Sequence, residues 1–86
     1  MSELDDLAVA AFRIGQSSQE TEQRTIACAD ALELSHQNLL SLVGNSRSGD
    51  EAAQAVLEAA HALRACAGRL LTLSNKVDDF VADLRS

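Results

Sequence analysis

The sequence predicts an all-α fold, a single antiparallel hairpin of two long helices. Three observations point there. The 86 residues include no proline and few aromatics, with Ala and Leu supplying most of the apolar content, a composition of strong helix formers. Apolar residues recur at a period of seven in the C-terminal half. One glycine- and serine-rich break, Gly44–Asp50, interrupts an otherwise continuous helical pattern. The expected helices cover about 3–43 and 49–84 in one domain, residues 1–86.

Helix one opens at Ser2, which with Asp5 fits an N-cap and an acidic third position. Gly15 is isolated within periodic sequence and reads as a local cost, not a stop. Gly44 suits a left-handed cap at the helix end. Ser48-Gly49-Asp50-Glu51 then reads as an S-x-x-E capping box that starts helix two. So short a connection makes the helices antiparallel neighbours.

Helix two carries the clearest seam. Val56, Leu63, Leu70, Val77 and Leu84 form one row, and Ala59, Cys66, Leu73 and Phe80 follow three residues after its first four members. In helix one the corresponding rows are Leu4, Ala11, Ser18, Thr25, Leu32, Leu39 and Leu7, Ile14, Thr21, Cys28, Ser35, Leu42. Folding one helix onto the other about residue 47 places Leu32 level with Leu63, Cys28 with Cys66, and Ile14 with Phe80. The seam of helix one is polar between Gln16 and Thr25. Small hydroxyl residues there either permit close approach or leave Val56, Leu63, Leu70, Leu73, Val77 and Leu84 free to reach another chain. Apolar residues off these rows, among them Ala8, Phe12, Ala29, Ala60, Ala67 and Val81, widen the stripe beyond what one helix covers. A dimer completing a four-helix bundle is therefore expected.

Function classes narrow by exclusion. The formal net charge of −6 disfavours nucleic acid and anionic membrane surfaces. No apolar run reaches the length of a membrane span, and the opening residues have no basic-then-apolar signal pattern. Synthesis in the cytoplasm is expected, with any secretion proceeding without a cleaved signal peptide. Metal-ligand spacings, phosphate-binding glycine motifs and nucleophile–base pairs are absent, so neither catalysis nor a cofactor is expected. Cys28 and Cys66 read either as small seam residues or as an inter-helix disulfide, since they share a level. The acidic tail Val77-Asp78-Asp79-Phe80-Val81-Ala82-Asp83 sets acids against the helix dipole and is a candidate recognition element.

The hairpin with Leu42-Val43-Gly44 at its turn, followed by Ser48-Gly49-Asp50-Glu51-Ala52-Ala53, resembles the WXG100 superfamily of type VII secretion. Leu42 stands where that family has Trp. Phe80 with Asp83 is an off-spacing echo of its C-terminal export signal. The resemblance implies a non-enzymatic partner protein that forms a homodimer, or a heterodimer with another helical hairpin or with the helical N-terminal domain of an LXG-type effector. It assigns Leu42, Val43 and Gly44 to the turn, and Phe80 and Asp83 to export or partner recognition. Two alternatives share the fold: a cytoplasmic coiled-coil adaptor or regulator dimer, and a helical subunit or chaperone of another secretion apparatus.

Overall fold

A computed structural model describes residues 2–43 and 46–86, except for the side chain of Val43. It contains two helices, α1 (Glu3–Val43) and α2 (Arg47–Arg85), packed against each other along their length. The result is a rod of 65 × 14 × 13 Å, its long dimension set by some forty residues at about 1.5 Å rise each.

The first helix start is the expected one. Ser2 Oγ accepts a hydrogen bond from the Asp5 backbone N–H at 3.2 Å, and the Ser2 carbonyl accepts from Asp6 N–H. The second start differs. Ser46, not Ser48, is the N-cap: its extended backbone (φ −99°, ψ 135°) positions Oγ to accept from Gly49 N–H at 3.1 Å. Its carbonyl accepts from Asp50 N–H at 2.9 Å. The helix thus begins at Arg47, and the expected Ser48–Glu51 capping box is absorbed into its first turn. Starting earlier lets Arg47 pair with Glu51 one turn on and carries Gly49, expected as the first helical residue, into a buried position within the first turn. Val43's side chain and Gly44, expected to shape the turn, lie outside the described residues.

The polar stretch Gln16–Thr25 does not interrupt α1. Thr21 Oγ1 donates to the Ser17 carbonyl at 2.8 Å and Thr25 Oγ1 to the Thr21 carbonyl at 2.7 Å. These back-bonds satisfy the hydroxyls within the helix itself.

The seam between the helices is half as predicted, with the same departure on both sides. The rows Ala11, Ser18, Thr25, Leu32, Leu39 and Val56, Leu63, Leu70, Val77, Leu84 are buried or half-buried, as expected, but Leu4, expected to head the first of them, is exposed. The second rows are not the ones three residues on. They lie four residues on: Gly15, Glu22, Ala29 and His36 (with Ala8 before them) in α1, and Ala53, Ala60, Ala67, Ser74 and Val81 in α2. Cys28, Cys66, Leu73, Phe80, Ile14 and Leu42, predicted to face inward, are exposed.

The choice follows from size. Ala29, Ala53 and Ala60 are essentially inaccessible, and among the described residues no fully buried side chain is bulkier than that of Ser74. With only one partner, each helix gains most by closing tightly over small residues, leaving long side chains to lie along the flanks of the contact. Gly15 marks such an approach: a Cβ there would sit 3.3 Å from Val77 Cγ1. That contact also fixes the register to within a turn of the predicted layers.

Two substitutions separate helix propensity from the packing. Gly68 faces open space, so Gly68→Ala is expected to raise stability by about 0.5–1 kcal/mol, whereas Gly15→Ala gains less because Val77 must give way. Ala60→Leu, which overfills the closest part of the seam, is expected to cost about 1–3 kcal/mol. Urea denaturation followed by circular dichroism measures all three. An Ala60→Leu protein as stable as the parent would contradict the tight-seam account.

Candidate partner-binding faces

A two-helix rod has two sides along which the helices meet, and the residues there differ in character. One side is marked by Arg64, whose Nε donates to Glu33 Oε1 at 2.9 Å and whose terminal nitrogen donates to Asp30 Oδ1 at 2.7 Å. It also carries Ile26, Leu71 and Phe12, all exposed, together with Asp78 and Arg85. Apolar and charged layers therefore alternate. At its open end lies a groove of about 330 Å³ lined by Ala8, Val9, Phe12, Arg13, Gln16, Val81 and Arg85.

The guanidinium–carboxylate contact holds Glu33 below the ordinary carboxylate range, chiefly through the hydrogen bond from Arg64, with desolvation acting in opposition. Arg64 is held correspondingly more firmly in its charged form by Glu33 and then Asp30. All three side chains are more than a third exposed. The cluster therefore adds little stability and accompanies the packing that sets the rotation of the helices.

The other side of the rod is the one the helical wheel places opposite Arg64. It carries Leu7, Ile14, Thr21, Cys28, Ser35 and Leu42 from α1 and Ala52, Ala59, Cys66, Leu73 and Phe80 from α2. Every one of them is exposed and none is charged. These are largely the residues that sequence periodicity assigned to the inner seam. The pattern of apolar residues was real, but it describes a surface. Leu42 is 80% exposed and Ile14 55%, exposures that isolated surface residues tolerate but that here run the length of a face.

The sites expected from sequence distribute as follows. Val56, Leu63, Leu70, Val77 and Leu84 are half-buried against α1, so they serve the hairpin itself; Leu73 lies on the exposed uncharged face. Phe80 belongs to that face near its open end, and Asp83 is exposed at its edge, one turn further on. Cys28 and Cys66 lie on the face as free thiols, neither seam residues nor a disulfide. Arg64 with Asp30 and Glu33 was not foreseen. Its signal was available in the sequence as opposite charges at one level of the folded hairpin. Among the described residues there is no cluster able to hold a metal ion, and no helix is long and apolar enough to cross a membrane.

No family model matches the chain, and no curated protein or solved structure does either. The functional reading therefore stands on the residues.

Two measurements test the two faces. Because Glu33's folded-state pKa is depressed, its contribution is present above the unfolded value and lost as pH falls through the folded one. Glu33→Gln is therefore expected to lower the urea midpoint near neutral pH, with its difference from the parent shrinking as pH falls below the ordinary carboxylate range. Both thiols are expected to react with Ellman's reagent in the native protein as readily as in denaturant. Protection of either until unfolding would put that cysteine back in the seam.

Proposed function

We propose that this chain is a non-enzymatic interaction module that binds a helical protein partner through its uncharged face, the two together forming a four-helix bundle. The observation that carries this is the face itself: an exposed, charge-free strip running the length of the rod. Area supports it. The hairpin exposes 6217 Å², against roughly 4,900 Å² for a compact globular monomer of this mass. The excess is of the order that one side of a stable interface covers, about 800 Å² or more. A hairpin that meets a second hairpin would gain the enclosed core that two helices cannot make alone.

We further propose that the module serves type VII secretion, assisting export of a helical effector. Support for this comes from the resemblance to the WXG100 superfamily. The two helices take up nearly all of the described residues, Leu42 sits at their turn end, and Phe80 and Asp83 are exposed close together near the open end. Phe80 would then act in both partner binding and export.

The test uses charge insertion at exposed positions. Leu73→Glu and Phe80→Glu alter exposed residues outside the buried rows of the seam, so the helical content of the isolated protein is expected to be unchanged. Co-expressed with a helical effector encoded beside it, the parent chain is expected to co-purify as a complex and both variants to lose it. Secretion of that effector is expected to fall with Phe80→Ala. Retention of the complex by both glutamate variants would overturn the face as the binding surface. Complex formation with secretion indifferent to Phe80→Ala would leave binding and remove the export role from that residue.

A further inference from the structure

The charge around the uncharged face is unevenly arranged. On the helical wheel the rows bordering it are the ones that contain Arg24 in α1 and Arg69 and Lys76 in α2. These three account for nearly half of the chain's seven basic residues. Across the middle of the rod no acid shares those border rows; Glu3 and Asp83 enter them only at the open end. Ion pairs among the described residues engage Arg47 and Arg64, while Arg24, Arg69 and Lys76, like Arg13 and Arg85 elsewhere on the rod, take part in none. A chain of net charge −6 thus frames its one charge-free face with unpaired cations.

Resting on the reading of this face as the binding surface, we infer that its occupant is a different chain, a helical segment or hairpin whose own uncharged stripe is bordered by Asp and Glu. A second copy fits poorly for a geometric reason. Arg24 and Arg69 sit at nearly the same level, close to the midpoint of the rod. Any two-fold axis that overlaps the two faces fully passes near that midpoint. If the axis runs along the rod, Arg24 meets the copy's Arg69. If it runs across the rod, Arg24 meets Arg24 and Arg69 meets Arg69. Sliding the copies apart relieves the repulsion only by giving up the apolar overlap. A partner with acidic borders turns the same contacts attractive, with no change to the apolar stripe. Such border charges select partners and speed encounter more than they add affinity, and salt weakens them.

Two designed helical hairpins serve as probes, identical in a Leu/Ala stripe and differing only in whether Glu or Lys borders it. Binding to the full chain is measured by fluorescence anisotropy in low salt and again in high salt. The Glu-bordered hairpin is expected to bind at least tenfold more tightly in low salt, with the preference shrinking in high salt. The triple variant Arg24→Glu, Arg69→Glu, Lys76→Glu is expected to reverse the preference while leaving helicity intact. Light scattering of the chain alone at micromolar concentration is expected to give a monomer.

Equal binding of both probes would overturn the acidic-border inference and leave the face as a binding surface. A dimer of the chain alone, abolished by Phe80→Glu, would overturn it in favour of a second copy. Binding of neither probe would overturn the inference, and Phe80→Glu then still disrupting the effector complex would show that the underlying reading survives.

Discussion

Close approach of two helices over small side chains is the constraint on which the rest of this molecule depends. A helix with one neighbour cannot bury a broad apolar stripe, since the stripe extends around more of the helix than the neighbour covers. It can bury a narrow one well if the residues in it are small. The row Ala53, Ala60, Ala67 and Ser74 facing Ala8, Ala11, Gly15, Ser18 and Ala29 does this. The larger residues of the other α2 row, Val56, Leu63, Leu70, Val77 and Leu84, then lie half-covered along one margin of the contact. One cost is visible. Ser74 Oγ is buried without a hydrogen-bond partner, where a methyl group would carry no unmet polar demand.

The same constraint creates the surface. With small residues taken into the contact, Leu7, Ile14, Leu42, Leu73 and Phe80 are left outside. Their exposure is not a failure of packing, because the described residues form no third helix to receive them. Arg64, held between Glu33 and Asp30, bridges the two helices on the opposite side. Fold and candidate interface are therefore two consequences of one choice of rotation about the helix axes.

That rotation explains what could and could not be read from the sequence. The hairpin, both helix lengths to within a few residues and the antiparallel register were legible, because they depend on periodicity, caps and the absence of proline. The Ser2 cap was legible for the same reason. The start of α2 was misplaced by two residues because Ser46 and Ser48 offer equivalent hydroxyls, and only packing of Gly49 distinguishes them. The second row of each seam was misassigned because spacings of three and four are both compatible with a helix. Hydropathy favoured Leu73 and Phe80 over Ser74 and Val81, and Ile14 over Gly15. Proximity favoured the smaller set. In a two-helix protein, bulk argues against burial.

The misassigned rows hold the clearest functional signal in the chain. A row that is apolar and inward needs no further explanation, whereas the same row turned outward does. Absence of charge sharpens it: the Arg64 side mixes exposed apolar residues with ions, some of them paired, as an ordinary solvated surface does. The opposite side keeps its ions at the border and unpaired. For an acidic chain to hold Arg24, Arg69 and Lys76 there is an arrangement that ion pairing within the hairpin does not account for, since none of them pairs with an acid among the described residues. It becomes intelligible if the acids are supplied by the protein that covers the face.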